Sequence, residues 1–187
     1  MILPIIAYGD PVLKRIADEI DADYPGLQEL ISHMEESMEH ASGVGLAAPQ
    51  IGKSIRLFLV DSTLMMDEGE EENGIQEVFI NAEIIEEKGE EWAFEEGCLS
   101  IPDIREDILR KDTITIKYFD KEFKEHTKTF DGLTARVIQH EYDHIEGVLF
   151  VDYLKPLKKK LLQKRLRRIS EGKISVKYRM RFPKLAR

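Results

Sequence analysis

The sequence has one cysteine, no long apolar run and no export signal. Cys98 has no partner for an internal disulfide, so nothing in the sequence requires an oxidising compartment. No apolar run approaches the roughly 20 residues that span a bilayer, which argues against a transmembrane helix. Residues 1–10 include a short apolar stretch but lack the basic segment and the small-residue cleavage site of a signal peptide. We therefore expect a cytoplasmic protein without a membrane partner.

Charge is distributed unevenly along the 187 residues, whose net charge is −9. Residues 155–187 contain 14 Lys and Arg against one acid, whereas residues 1–154 contain 13 basic and 35 acidic residues. A basic block on an acidic body favours an anionic partner for the block. Because the sequence has no internal repeat and no linker, its length predicts a single domain over 1–187, with 155–187 as a basic C-terminal extension.

Helical spacing of apolar residues predicts three longer helices. The first runs from about residue 23 to about 42 and has one buried face. The second covers 133–145, stops before Gly147 and is apolar on several sides, as expected for a helix in the middle of a fold. The third is a basic helix over 156–170. A short helix over 11–17 is also expected, because it begins with an Asp-Pro pair.

Strand patterns fill most of the sequence between the first and second helices. The expected strands are 55–60, 78–80, 84–85 and 92–94, a hairpin of 113–119 with 122–130, and a final strand over 174–180. Residues 65–74 carry five acids and two glycines, which predicts a solvated, mobile insertion of unassigned role. We expect an α+β fold, with antiparallel β-sheets packed around the central helix and a C-terminal helix and strand.

The central helix carries the string His140-Glu141-Tyr142-Asp143-His144. Residues four apart lie above one another on a helix, so both imidazoles can bind one metal ion. Glu141 can then reach a metal-bound water without binding the metal, as a general base requires. The alternative is two ordinary histidines on a helix with a surface glutamate.

Two histidines leave a catalytic metal one protein ligand short of the usual three. The extended pattern H-E-x-x-H-x-x-G-x-x-H is absent, because Phe150 stands at its last position. Cys98 is the better candidate, since it lies in a glycine-flanked turn and a thiolate is a strong metal ligand. A Cys/His/His set leaves one position open for water, and it suits ferrous iron as well as zinc. The sequence therefore predicts one divalent metal ion without choosing between these metals.

Three segments resemble the motifs of the peptide deformylase family. Residues 43–50 read GVGLAAPQ and match G-x-G-x-A-A-x-Q, residues 96–100 read EGCLS and match E-G-C-x-S, and residues 139–144 read QHEYDH and match Q-H-E-x-D-H. All three occur complete and in order, and the resemblance extends to about residue 153. It implies a bacterial-type amide hydrolase that removes the formyl group from the N-terminal formylmethionine of newly synthesised proteins and releases formate.

The resemblance also implies roles for individual residues. The implied metal ligands are Cys98, His140 and His144. The metal implied is Fe²⁺ natively, with Zn²⁺ or Ni²⁺ often found in preparations. Glu141 takes a proton from the metal-bound water, hydroxide attacks the formyl carbon, and Glu141 returns the proton to the leaving amine. The side-chain amide of Gln50 and the backbone N–H of Leu99 stabilise the oxyanion together with the metal. Gln50 alternatively caps a turn.

Residues around the motifs receive supporting roles. In the family, the backbone of the second glycine, here Gly45, pairs with the substrate peptide. Gly43 and Gly45 also permit backbone angles that are closed to other residues. Glu96, with its neighbour Gly97, is expected to be a structural partner near the site. Asp143 is expected to orient a neighbouring group.

The methionine side chain of the substrate requires an apolar pocket beside the metal. We expect this pocket to be lined by residues that flank the three motifs, namely Val44, Phe94, Leu133 and Val137. The alternative for these four is plain core packing. Arg105 follows Ile101-Pro102 and resembles a substrate-lining arginine, although an ordinary surface cation is the other interpretation.

Formylmethionyl nascent chains are the expected substrate, and the ribosome is a candidate partner for the basic helix. Some bacterial relatives dock on the ribosome through a C-terminal helix, which here would present the cations Lys158, Lys159, Lys160, Lys164, Arg165, Arg167 and Arg168 to RNA phosphates. The alternative is a solvated helix that offsets the acidic body. A final strand departs from relatives whose chain ends in the helix, and it puts docking in doubt if it pins the helix elsewhere. No DNA partner is expected.

Two other functions fit part of the sequence. A metallopeptidase that cuts internal peptide bonds shares H-E-x-x-H but does not need Gln50 or Cys98. An RNA- or ribosome-binding protein with a structural metal would need four protein ligands, and the sequence offers three good ones.

Overall fold

The computed structural model describes residues 1–183 and contains helices on an antiparallel sheet. The α-helices are α1 (Leu27–His40), α2 (Gly132–Ile145) and α3 (Pro156–Ser170). The strands are β1 (Ile5–Ile6), β2 (Gly45–Ala47), β3 (Leu57–Asp61), β4 (Gln76–Cys98), β5 (Ile101–Phe119), β6 (Glu125–Asp131) and β7 (Met180–Arg181). Short 3-10 helices cover Pro11–Lys14, Ala48–Ile51, Thr63–Met65, Glu71–Asn73 and Phe150–Tyr153. The mixed α and β class is thereby confirmed.

Five strands form one antiparallel sheet in the order β2-β3-β4-β5-β6. The prediction of separate short strands at 78–80, 84–85 and 92–94 was wrong, because all three belong to the 23-residue strand β4. Residues 85–91 of β4 are exposed throughout, so they lack the apolar alternation by which a strand is recognised. Register shifts in the β4–β5 ladder interrupt the pattern further.

The C-terminal strand is shorter than expected and lies in a two-stranded sheet, separate from the five-stranded one. Only Met180–Arg181 pairs, and its partner is β1, in parallel. Residues 174–180 do alternate between partly buried and exposed, but the partly buried side chains pack on the core and do not belong to a longer ladder. Residues 184–187 of the basic extension lie outside the described residues.

Helix α2 is buried, and it holds the functional motif in place. Ten of its 14 residues are buried, and it packs against β2, β3, β5 and β6. The chain leaves the helix through Gly147, which has a φ of +71°. A Cβ at Gly147 would lie 2.7 Å from the carbonyl oxygen of Lys14, so both the backbone angle and the space require glycine here.

The two outer helices each bury one face. α1 buries Leu27, Leu30, Ile31, Met34, Ser37 and Met38, so its methionines belong to the core. α3 buries Leu162, Leu166 and Ile169 and exposes its cations. The short first helix is a 3-10 turn, Pro11–Lys14, which the Asp10 side chain caps by accepting from Val12 N. Acidic residues 67–72 are exposed. Within residues 1–183, no helix is both long enough and apolar enough to cross a bilayer.

Candidate active site

Three side chains that can bind a metal come together where β4 ends beside α2. Cys98 is the last residue of β4, and His140 and His144 lie one turn apart on α2. One ligand atom from each residue lies within 4.8 Å of the others, and Cys98 Sγ is 3.4 Å from His144 Nε2. Both histidines are buried and Cys98 is half-buried. A thiolate with two imidazoles fits a divalent metal with one coordination position left over.

A buried carboxylate fixes the orientation of the first histidine. His140 Nδ1 lies 2.9 Å from Glu96 Oε2, two residues before Cys98 on β4. This contact occupies Nδ1 and leaves Nε2 as the ligand atom, which is the usual arrangement around a metal-binding histidine. Glu96, which was predicted to be a structural partner near the site, thus contacts His140 directly.

Two arginines that the sequence analysis missed neutralise Glu96. Arg110 donates from Nε to Oε1 at 2.6 Å and from Nη2 to Oε2 at 3.0 Å, and Arg136 donates to Oε1 at 3.1 Å. All three side chains are buried. Burial alone would raise the pKa of Glu96, but the hydrogen bonds from Arg110 and His140 outweigh it and hold the pKa below its usual range.

A signal for both arginines was present in the sequence. Arg110 continues the inward-facing series of Ile104 and Ile108 on β5, and Arg136 lies between two apolar residues of α2. A charged residue at a core position requires a buried partner of opposite charge. Glu96 is that partner for both.

Asp143 reaches the metal ligands through Arg110. Its Oδ2 lies 2.9 Å from Arg110 Nη1, and its Oδ1 accepts a hydrogen bond from Tyr153 Oη at 3.0 Å. Arg110 in turn holds Glu96, which holds His140. Three successive contacts therefore link Asp143 to His140, and its expected role in orienting a neighbouring group stays a prediction.

Glu141 packs directly against the backbone of β2. A Cβ built at Gly45 would lie 2.7 Å from Glu141 Cδ, so any side chain at this position would displace the carboxylate. Glu141 Oε2 is buried and has no hydrogen-bond partner among residues 1–183. Burial raises the pKa of Glu141 to about 7. A carboxylate oxygen without a hydrogen-bond partner is free to exchange a proton with water or a substrate.

Lack of space for a side chain, and not the backbone angle, requires glycine at positions 43 and 45 of the first motif. Neither Gly43 nor Gly45 has a positive φ. A Cβ at Gly43 would lie 2.9 Å from Leu99 Cδ1, and a Cβ at Gly45 would collide with Glu141. The expectation that unusual backbone angles require glycine is therefore wrong at both positions.

Gln50 presents its amide NH₂ group to the cysteine turn. Its Oε1 accepts from Ala47 N at 2.8 Å, which fixes which end of the amide faces the cluster. Its Nε2 lies 3.3 Å from both Cys98 Sγ and Ser100 Oγ. Gln50 thus caps a turn, and its NH₂ group also faces Cys98 and Ser100. Leu99 follows Cys98 in the turn between β4 and β5.

The expected pocket residues are only partly brought together. Val44 and Val137 belong to one hydrophobic cluster, in which Val137 is buried. Phe94 is half-buried on β4, where its ring packs beside Trp92 and near the Arg136 guanidinium. Leu133 is half-buried at the start of α2. Val44 and Val137 therefore share a cluster to which Phe94 and Leu133 do not belong.

Arg105 lies across the β4–β5 ladder from Gly97, one residue before the cysteine. A Cβ at Gly97 would approach Arg105 Cγ to 3.3 Å, so glycine lets the arginine stem lie flat on the strand. The Arg105 side chain is 67% exposed, and its contact with Glu95 is 3.8 Å long. Its guanidinium is therefore available to a ligand that approaches the cysteine turn.

A Cys/His/His cluster with an adjacent glutamate is typical of enzymes that use a divalent metal. The sequence matches the polypeptide deformylase family over residues 2–160. The chain therefore belongs to the polypeptide deformylase family, and it is an enzyme.

Relatives across the whole chain agree with this assignment. A peptide deformylase of Christiangramia forsetii is 57% identical over 190 aligned positions, which cover 98% of this chain and 97% of the relative. One from Flavobacterium johnsoniae is 56% identical and covers 97% and 96%. The crystal structure of a peptide deformylase from Legionella pneumophila superposes with a TM-score of 0.80 at 38% identity, over 92% of this chain and 98% of that one.

Proposed function

We propose that this enzyme hydrolyses the formyl group from the N-terminal formylmethionine of newly made proteins and releases formate, using one divalent metal held by Cys98, His140 and His144. The observation that carries the proposal is the clustering of these three ligand atoms within 4.8 Å, with the Gln50 amide 3.3 Å from Cys98 Sγ. Glu141 follows His140 in the chain, and its carboxylate packs against Gly45. Family membership supplies the reaction class.

The donor set suits Fe²⁺, which we propose as the native metal, and it also accepts Zn²⁺ or Ni²⁺. A bound metal would lower the pKa of water and polarise the formyl carbonyl. The three ligand side chains lie among buried residues, and Glu96 fixes the His140 ring. The ligand atoms are therefore held in position before a metal ion binds.

Glu141 moves the proton in this mechanism. Its carboxylate takes a proton from the attacking water and delivers it to the leaving amine nitrogen as the formyl C–N bond breaks. The charge that develops on the formyl oxygen is stabilised by two donors of the chain, Gln50 Nε2 and the backbone N–H of Leu99. Because Gln50 Oε1 is held by Ala47 N, the amide cannot turn its oxygen toward that charge.

The substrate peptide lies along β2 in this proposal, and its backbone pairs with Gly45. Its methionine side chain packs between Val44 and Val137, with Phe94 and Leu133 at the edges of the pocket. Arg105, exposed beside the cysteine turn, contacts the peptide farther from the formyl group.

A larger side chain at Val137 should weaken substrate binding selectively. Burying a methionine side chain contributes about 1.5–3 kcal/mol, so Val137→Phe should raise KM for a formylmethionyl peptide about 10- to 100-fold while the metal content stays constant. Steady-state kinetics with metal analysis measures both. Val78→Phe is the matched control, since Val78 is buried in a different cluster and the same overpacking there should leave KM unchanged. Equal KM values for wild type and Val137→Phe would remove Val137 from the pocket.

Product analysis separates deformylation from its nearest alternative. Incubated with a formyl-Met tripeptide, the enzyme should release formate and the intact free tripeptide, as identified by mass spectrometry. A metallopeptidase would instead cut an internal peptide bond and leave the formyl group attached. A protein with a purely structural metal would return the substrate unchanged.

We propose that residues 1–187 form a single catalytic domain that works in the cytoplasm, where nascent chains are made. We further propose that the basic C-terminal extension, residues 155–187, contacts the ribosome. Lys158 pairs with Glu106, Arg167 pairs with Glu171, and Arg165 donates to the carbonyl oxygen of Asp103. The remaining lysines of α3 are better placed for RNA. Lys159, Lys160 and Lys164 are exposed and form no ion pair with residues 1–183.

Reversing the charge of these three lysines should weaken ribosome binding without unfolding the protein. Lys159→Glu/Lys160→Glu/Lys164→Glu removes about three phosphate contacts, so the slope of log affinity against log salt should flatten by about 2 to 3. Sedimentation with purified ribosomes at several salt concentrations measures the slope. The control reverses Lys53, Lys121 and Lys124, which are exposed elsewhere. If both triple variants pellet equally with ribosomes, α3 is not the contact.

A further inference from the structure

The segment that follows α3 returns to the body of the enzyme and reaches the cysteine turn. This C-terminal segment, residues 174–182, pairs with β1 through Met180–Arg181. Ile174, Tyr178, Met180 and Phe182 pack against the hydrophobic core. The match to the family covers residues 2–160, so the segment lies outside the matched range.

Tyr178 forms a hydrogen bond with Leu99, whose backbone N–H is a proposed oxyanion donor. Its hydroxyl donates to the carbonyl oxygen of Leu99 at 2.8 Å. A tyrosine hydroxyl is protonated at neutral pH, and burial raises the pKa of Tyr178 further, so the hydroxyl is a hydrogen-bond donor. The next carbonyl of the turn, that of Ser100, accepts from Tyr8 N at 2.9 Å. Both carbonyls between the strand ends Cys98 and Ile101 are therefore held from outside the turn.

The C-terminal segment also contacts the 3-10 helix that contains Gln50, the other proposed oxyanion donor. Gly52 ends the 3-10 helix Ala48–Ile51, in which Gln50 lies, with a φ of +84°. A Cβ at Gly52 would lie 2.7 Å from Arg181 Nη2, so the Arg181 guanidinium covers this helix end. Residues 174–182 thus contact both Leu99 and the Gln50 helix.

We propose that Tyr178 is a positioning residue for the oxyanion site, and this proposal rests on the proposed function. A hydrogen-bond donor stabilises a developing charge only when it is already aimed at the position the charge will occupy. Rotation about the Leu99 backbone would turn its N–H away from that position. The Leu99 N–H lies in the peptide plane before Leu99 Cα, and the Leu99 carbonyl lies in the plane after it. By anchoring the carbonyl, the Tyr178 hydroxyl restricts rotation about the two Leu99 backbone bonds that join these planes. Tyr178 is not one of the three proposed metal ligands, and its hydroxyl contacts the Leu99 backbone.

Removal of the hydroxyl alone tests this role. Loss of one oxyanion donor typically costs about 10²- to 10³-fold in kcat, and a donor that is only loosened should cost less. Tyr178→Phe should therefore lower kcat for a formyl-Met tripeptide about 3- to 10-fold, with KM and metal content within about twofold of wild type. Tyr178→Leu should show the same fall in kcat and, because the ring is lost, a lower melting temperature. Tyr24→Phe, which removes a hydroxyl from the same hydrophobic cluster, should match wild type.

The outcomes distinguish this proposal from the proposed function. An active wild type with an unchanged kcat in Tyr178→Phe would overturn the positioning role alone. So would a loss of kcat confined to Tyr178→Leu, since packing of the ring and not the hydroxyl would then be responsible. A rise in KM without a fall in kcat would also overturn it, because a ground-state contact would be indicated. A metal-loaded wild type that releases no formate would overturn the proposed function and the positioning role with it.

Discussion

Glu141→Gln should lower kcat for deformylation by about 10²- to 10⁴-fold while leaving the protein folded and loaded with metal. This range is typical for removal of a general acid–base group. The amide of Gln has nearly the shape of the carboxylate, so it fits the narrow space against Gly45, but it can neither accept the proton of water nor return it to the amine. Formate release per mole of bound metal measures the effect.

Glu146→Gln is the matched control for this substitution. Glu146 follows the last residue of α2 and pairs with Arg56 at 2.7 Å, so the same change of charge is made at the end of the same helix. Its kcat should equal that of wild type. If Glu141→Gln kept more than a tenth of wild-type kcat at equal metal content, another group would have to move the proton.

Glu96→Ala should have the largest effect on stability and should weaken metal binding as well. It leaves the guanidinium groups of Arg110 and Arg136 buried without their carboxylate. Breaking a buried ion pair from one side typically costs about 3–5 kcal/mol of unfolding free energy. The His140 ring also loses the acceptor that fixes it, and loss of such a partner typically lowers metal affinity about 10- to 100-fold. Chemical denaturation and metal titration measure the two effects.

Glu125→Ala provides the comparison for an exposed pair. Glu125 lies 3.0 Å from Lys117 on the β5–β6 ladder, and both side chains are about half exposed. Solvent screens such a pair, so its loss should change the unfolding free energy far less and leave metal affinity unchanged. Equal unfolding free energies for wild type and Glu96→Ala would mean that the buried charges rearrange around the gap.

The clustering of Cys98, His140 and His144 could be predicted from the sequence, because the motifs that carry these residues are local. His140 and His144 share a helical face whatever the rest of the fold does, and Glu141 follows directly in the chain. Cys98 is distant in sequence, but its glycine-flanked turn and its metal-binding side chain identified it. The central position of α2 was likewise visible, since a helix apolar on several sides must be surrounded.

The features that sequence reasoning missed depend on tertiary contacts. The strand β4 was divided into short pieces, because its exposed middle has no apolar alternation and gains its regularity only from pairing with β5. The sequence does not show which acid pairs with Arg110 and Arg136, because only the fold places both arginines beside Glu96. Tyr178 is separated by 79 residues from the carbonyl it holds, and no local pattern predicts that pairing.

Formate release from a formyl-Met tripeptide, measured with anaerobically purified protein before and after metal removal, tests the central claim most directly. The account predicts one formate for each free tripeptide, loss of turnover when a chelator removes the metal, and recovery when Fe²⁺ is returned. Absence of formate from metal-loaded protein, or turnover that persists in fully metal-free protein, would contradict it.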